Sequence, residues 1–306
     1  MADSAKGRVE RLLEELKVPD DFRDENLPVG VFSHSQYSAF RICGRAYEFR
    51  YLLRAPSPPS PEMVRGSAVH KAVEAALKAK MSGRNISLGA LQDLIVREFD
   101  ARAIEVQDWG ERNPDELRMQ ALQLHAAFYL NALPSIHPVA VEKGWAARFG
   151  GVPMVGWIDL IEEQPAMDVS RLTPRAAALS PKKRVVVDTK TSEKRWSADN
   201  VRKNPQLTLY SAVERTPFVR VDQLVPYQRG AAYVPSGSER TATDIAVLEE
   251  DVAEVAGLIE RGIFPMTTID SWTCNAHRCA YWTLCRGRKR NPNGKKERSR
   301  VHQARA

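Results

Sequence analysis

Three short segments carry the side chains most able to do chemistry. The run RVVVDTK (184–190) reads as a short, buried strand that ends in an acid and an amine. Residues i and i+2 of a strand point to the same side, so Asp188 and Lys190 project together. An acid beside an ammonium at a strand mouth can bind a cation and hold a water or a phosphate oxygen. The same triplet also occurs as an ordinary surface ion pair. In GWID (156–159), Asp159 shares its strand face with Val155 and Trp157. A carboxylate there is costly to bury without a proton, a partner or a metal; an exposed strand edge is the plainer alternative. In GSAVHKAVE (66–74), His70 and Glu74 are four apart and share one helix face, with Gly66 allowing close approach at the helix start. A lone helical histidine is most often structural. Taken with two carboxylates, it completes an oxygen-rich set with one imidazole, which suits Mg²⁺ or Mn²⁺ better than Zn²⁺. The chemistry such a set would perform is metal-assisted hydrolysis of a phosphodiester.

The four cysteines form a second constellation. Cys274, Cys279 and Cys285 fall within twelve residues, and Cys43 lies far upstream. In a chain expected to stay in the cytoplasm, clustered cysteines favour a metal or cluster site over disulfides. The expectation of a soluble, cytoplasmic protein rests on a charged first 25 residues without an apolar core, and on no apolar run near the ~18 residues that span a bilayer. The net charge of +7 is unevenly placed: residues 286–306 hold nine Lys/Arg against Glu297, leaving the rest near −1. That tail reads either as a solvated, disordered end or as a non-specific phosphate-binding arm.

These residues need elements to position them. With 306 residues, 43% hydrophobic and 27% charged, the chain can bury a core; wholesale disorder, coiled coil and collagen are excluded. Helical spacing marks 5–17, and an acidic linker fills 18–30. Helices are expected from about 36 to 53 (capped by Ser35), 66 to 80, 87 to 107 and 114 to 132. Residues 139–149 and 152–161 read as strands joined at Gly150-Gly151, a hairpin signal. A polar excursion over 162–184 leads to the RVVVDTK strand. A helix over 198–215, a β-like stretch over 219–234 and a helix near 244–262 follow. The order predicts a mixed α/β core behind a helical N-terminal region. Its segments are 1–30, a helical region 31–137, a core 138–262, a cysteine segment 263–285 and the tail 286–306.

In order and spacing, GxxxH (Gly66–His70), GxxD (Gly156–Asp159), DxK (Asp188–Lys190) and QxxxY (Gln206–Tyr210) resemble the RecB-type branch of the PD-(D/E)XK nuclease superfamily. The cysteine arrangement is similar to that of its iron–sulfur members, including the CRISPR adaptation nuclease, the AddB-type recombination subunit and phage exonucleases. The resemblance spans roughly 31–285. It departs in three places: Ile158 stands for the motif proline, Asp188 stands where many members have Glu, and four residues separate Cys274 from Cys279 where many have two.

The resemblance implies a restriction-endonuclease-like mixed sheet flanked by helices. It implies His70, Asp159, Asp188 and the Thr189 carbonyl as ligands of Mg²⁺ or Mn²⁺, and Lys190 as the residue that positions water and stabilises developing charge. Glu74 would assist a second metal. Gln206, Tyr210 and Arg65 would contact the strand, with Arg41 and Arg45 continuing a basic path. Cys43, Cys274, Cys279 and Cys285 would hold a [4Fe–4S] cluster, with structural Zn²⁺ as the alternative occupant. The function implied is a DNA exonuclease for single strands or duplex ends, with little sequence specificity, serving recombination, repair or phage replication beside a partner protein of those processes. Two alternatives remain: a structure-specific or restriction-type endonuclease, and a non-catalytic DNA-binding subunit.

Overall fold

A computed structural model of the chain describes residues 5–165 and 181–286. The described residues fall into two compact units, one within 1–38 and 58–263 and the other within 39–57 and 264–306.

The first unit is built on a five-stranded sheet in the order β1-β2-β3-β4-β5. β1 (Pro138–Phe149), β2 (Val152–Pro165) and β3 (Lys182–Thr191) run antiparallel in turn. β4 (Phe218–Tyr227) lies parallel to β3, and β5 (Gly230–Glu239) antiparallel to β4. Gly150 and Gly151, at φ +57° and +81°, make the expected β1–β2 turn, because that tight connection needs positive φ at both positions. A parallel pair needs a crossover. Here two helices supply it, α7 (Ala198–Arg202) and α8 (Pro205–Glu214).

Helices α4 (Pro61–Met81), α5 (Leu88–Ala103) and α6 (Pro114–Asn131) pack on one sheet face, where Val141, Leu160, Val185, Val187 and Leu224 meet Val64, Ala68, Leu91, Phe99, Leu117 and Phe128. α8 contacts β3 and β4, and α9 (Ala242–Glu260) contacts α8, β1 and β2. α1 (Ala5–Glu15) packs on β1 through a separate cluster of Leu12, Leu13, Val31 and Val155. Among the described residues no helix is long and apolar enough to cross a membrane. The mixed α/β architecture matches the expectation from the sequence.

Several boundaries differ, each for a local reason. Ser60 accepts from the Met63 amide and Pro61 takes the first helical turn, so α4 begins five residues before Gly66. The helix expected over 198–215 is two, because Asn204 caps a new one at Pro205. The stretch 219–234 is not one strand but parts of two, since β4 and β5 join through a tight turn after Tyr227. The excursion over 162–184 is shortened by strand at both ends, and its centre, 166–180, lies outside the described residues, as does the basic tail from 287.

The second unit contains the continuation of α2 (His34–Ile42), α3 (Gly44–Tyr47), a π-helical turn (Glu48–Leu52) and the short α10 (Trp282–Cys285). The single helix expected over 36–53 is interrupted at Cys43, which is extended at φ −165°, ψ 109°. Phe40, Tyr47 and Phe264 form its aromatic core, with Tyr47 fully buried.

Candidate active site

The β2–β3 ladder ends at Leu160↔Val187, while β3 continues to pair with β4 as far as Thr191. Past that point the β1–β2 hairpin leaves β3, and the next residues, Asp159 and Asp188, stand where the strands part. Asp159 closes the gap with its side chain: its Oδ2 accepts from the Thr189 amide at 2.9 Å. A carboxylate thus takes a backbone donor that the ladder no longer engages, fixing the two acids relative to each other.

Two motif glycines have steric reasons. Gly156 lies opposite Trp145 in the β1–β2 register, and a Cβ there would sit 2.8 Å from the indole. At Gly66 a Cβ would sit 3.0 Å from Thr191 Oγ1, so its absence lets α4 approach the end of β3. That approach carries His70 to the site, with Nδ1 3.9 Å from Asp159 Oδ2.

Asp188 is the more enclosed of these two acids, its side chain 1% exposed against 21% for Asp159. Burial is the main force pushing it up to about 7, opposed by Lys190 and aided by Asp159. Lys190 Nζ stands 3.0 Å from Oδ1, as a hydrogen bond, and 2.8 Å from Oδ2, as an ion pair without hydrogen-bond alignment. Burial would pull the Lys190 ammonium down, but Asp188 and Asp159 outweigh it and its pKa is raised. Lys190 therefore carries its charge at neutral pH. The pKa of His70 is lowered, first by burial and also by Lys190, against Asp159, although one ring edge reaches solvent. Its imidazole is neutral near pH 7, as a metal ligand must be.

α8 supports this cluster from the opposite side. Lys190 Nζ donates to Gln206 Oε1 at 3.0 Å, and Gln206 Nε2 donates to Tyr210 Oη at 2.7 Å. Tyr210 Oη donates in turn to the Trp157 carbonyl at 2.7 Å. Tyr210 is 4% exposed, and burial first, then Asp188 and Asp159, holds its hydroxyl protonated. Assigning Tyr210 to the substrate strand is thus corrected: its hydroxyl is spent in the interior, holding Gln206 against Lys190. Arg65 is corrected as well. It is 1% exposed, with Nη1 on Gln120 at 2.8 Å and on Glu193 at 2.7 Å, so it offers no open surface for a phosphate. Glu74 is engaged by Lys71 at 2.9 Å and Lys78 at 2.7 Å. Arg45 is ion-paired with Glu48.

Sequence reasoning missed two residues. Glu142 lies in register with Asp159, between the pairs Val141↔Leu160 and Lys143↔Ile158, and has a positive φ of 51°. Burial, then Asp159 and Glu74, pushes its carboxyl up to about 7. Pairing back from the Gly150-Gly151 turn would have found it. His34 is held down to about 4 by burial and by Lys190, and its Nε2 is buried without a hydrogen-bond partner among the described residues. No spacing in the sequence signals it.

The donor set of Asp159, Asp188 and neutral His70 suits a hard divalent cation, and the buried Asp188 Oδ2 lacks a hydrogen bond. Among the described residues, no three His, Cys, Asp or Glu side chains already converge at metal-binding distance. Here Lys190 supplies the counter-charge to Asp188. The cysteines are unpaired and half-buried. All four belong to the second unit, and burial first, with added contributions from Cys43, Cys285 and Cys274, raises the pKa of Cys279.

No curated protein matches the sequence. Among solved structures, a candidate exonuclease from Eubacterium rectale is 14% identical, with 80% of this chain and 86% of that one covered and a TM-score of 0.48. The protein SSO0001 is 12% identical, with 92% of this chain and 94% of that one covered and a TM-score of 0.39. The profile of the PD-(D/E)XK nuclease superfamily matches residues 31–286, from before α2 to the last cysteine, and so takes in the splayed strands, both acids and Lys190. The chain belongs to the PD-(D/E)XK nuclease superfamily, and its five-stranded mixed sheet flanked by helices is the restriction-endonuclease-like core of that group.

Proposed function

We propose that this chain is a Mg²⁺- or Mn²⁺-dependent deoxyribonuclease of the RecB-like type, acting as an exonuclease on single strands or duplex ends in the cytoplasm. The observation that carries this reading is the intact Asp159–Asp188–Lys190 arrangement at the parting of β2 and β3, with neutral His70 beside it. Asp159, Asp188 and His70 would hold the cation, which when bound polarises the scissile phosphate and activates water. Lys190 keeps its proton, orients the attacking water and faces the charge that builds on the phosphoryl oxygens. Gln206 and Tyr210 hold that ammonium in place. Low sequence specificity is part of this proposal, since the cation and Lys190 address the phosphate, whose contacts carry no sequence information. Work on DNA ends in recombination, repair or phage replication fits such an activity.

The same proposal extends to the second unit, where Cys43, Cys274, Cys279 and Cys285 would hold a [4Fe–4S] cluster. Four thiols in one unit without disulfides are a suitable ligand set, and a cluster would fasten residues 39–57 to 264–285. Anaerobic protein should contain about four iron and four sulfide per chain, the number a cubane cluster requires. One zinc and no iron would replace the cluster with a structural Zn²⁺ site.

The nuclease reading is tested with end-labelled single-stranded and blunt duplex DNA plus Mg²⁺ or Mn²⁺. Release of short products from an end supports it, internal cuts in a closed circle favour an endonuclease, and binding without cleavage favours a non-catalytic subunit. Tyr210→Phe removes two hydrogen bonds and loosens Lys190. We expect a roughly 10-fold slower single-turnover rate with DNA affinity unchanged. Melting should fall by about 2–4 °C, for a loss of about 1 kcal/mol. An unaltered rate would break the link from Tyr210 to Lys190.

A further inference from the structure

The family profile begins at residue 31, yet α1 is seated on the sheet by a built contact. Leu12 and Leu13 are 2% and 5% exposed. Gly144 of β1 makes room for Leu12: a Cβ there would lie 2.3 Å from Leu12 Cδ1. The ion pair of Glu10 with Arg23, at 2.5 Å, ties the helix to the segment that follows it.

Seated this way, α1 places the Arg8 guanidinium over the Trp157 ring, 4.8 Å from its centroid. Trp157 precedes Asp159 by two residues on β2, so the two share a strand face with Cα atoms about 7 Å apart. Arg8 is also close enough to Glu142 to oppose the upward push on that carboxyl. Arg8 is exposed, and no carboxylate among the described residues lies within ion-pair distance of it. An indole face holds one side of a guanidinium and leaves its N–H edge available, the presentation that suits a planar fork binding two phosphate oxygens. Glu142 and Asp159 lie on this side of the site, next to Glu74, which Lys71 and Lys78 already pair, so an entering polyanion meets two carboxylates there. A cation at that rim offsets the repulsion.

We propose that α1, an element outside the segment shared with the family, supplies Arg8 as a phosphate-holding residue for the nucleic-acid strand next to the reacting centre. The inference rests on the nuclease reading above. It assigns to residues 5–15 a binding role in addition to packing, and places one backbone contact on the Trp157 side of the site.

The test is single-turnover cleavage of a labelled single-stranded oligonucleotide with Mg²⁺ or Mn²⁺, protein in excess, between about 50 and 200 mM salt, where phosphate contacts dominate affinity. For Arg8→Ala we expect the half-saturating protein concentration to rise about 5- to 10-fold at low salt, with the maximal rate within about 2-fold of wild type. The plot of log affinity against log salt should become shallower by about 0.7, the loss of one phosphate contact to a single strand. Arg8→Lys should keep the slope, because the charge remains. Melting curves accompany each variant. An unchanged half-saturation and slope in Arg8→Ala, with or without a melting shift, would overturn the inference and leave Arg8 as a pin for α1. A lower maximal rate at unchanged half-saturation would overturn it too, since Arg8 would then act through the geometry of the site. If the wild type neither binds nor cuts DNA, the nuclease reading falls and this inference with it; if the wild type cuts and only the Arg8 result fails, the nuclease reading stands.

Discussion

Lys190→Ala is expected to slow DNA cleavage by about 10³-fold while DNA binding survives, as removal of a preorganised cation facing a transition-state charge does elsewhere. Three contacts make the effect large. The Nζ atom is paired with both oxygens of Asp188, held by Gln206 at 3.0 Å and kept protonated by two carboxylates. No other cation stands beside Asp188 among the ion pairs of the described residues. The variant should still fold. Asp188 is already pushed up to about 7, and without its counter-charge it moves further up and takes a proton rather than remaining as a buried charge. Gel-shift binding and end-labelled cleavage, run on the same preparation, check this. Loss of both together would mean that Lys190 holds the strand or the fold, and residual cleavage within 10-fold of wild type would remove it from the chemistry.

Asp188→Asn is expected to abolish cleavage and, without divalent cation, to stabilise the protein at alkaline pH. The sign follows from the direction of the shift. The folded carboxyl titrates at about 7, above the unfolded value of about 4. The folded state therefore holds the proton more tightly. The stability this contributes is full below about pH 4 and is lost as pH rises through 7. Asparagine carries no such dependence. The two proteins should melt closely together near pH 4, with the variant ahead by a few degrees at pH 8, each kcal/mol being worth about 2–4 °C. Adding Mg²⁺ or Mn²⁺ at pH 8 should narrow or reverse the gap, because only the wild type gains a ligand there. A wild type that melts level with the variant at both pH values would show that Asp188 is not strained by burial.

The parts of this site legible from the sequence were the short-range ones. Strand alternation put Asp188 and Lys190 on one side, and their ion pair bears that out. Helical spacing brought His70 forward, and the structure sets it 3.9 Å from Asp159. The Gly150-Gly151 turn fixed a register in which Glu142 faces Asp159, so Glu142 was within reach of the same reasoning. What escaped depended on contacts distant in sequence. The role of Tyr210 is decided by the carbonyl of Trp157, 53 residues away, and that of Arg65 by Gln120, 55 away. A motif supplies the residue type, but burial decides whether a hydroxyl or guanidinium meets substrate or protein. The β4–β5 turn was missed because Gln228-Arg229 carries none of the Asn-Gly or Asp-Gly chemistry that marks a hairpin. The break before α8 was overlooked although Asn204-Pro205 announces a new cap.

The unit that gathers the four cysteines is made of two stretches of chain separated by about two hundred residues. At a synthesis rate of roughly 5–20 residues per second, Cys274 leaves the ribosome about 10–50 s after Cys43. Through that interval Cys43 is a thiol without its neighbours, while most of the sheet has already emerged and can fold. Closure of the cysteine unit is therefore a late step of biogenesis, and a chain that stops early cannot take it. The completed unit is a record that synthesis has passed Cys285.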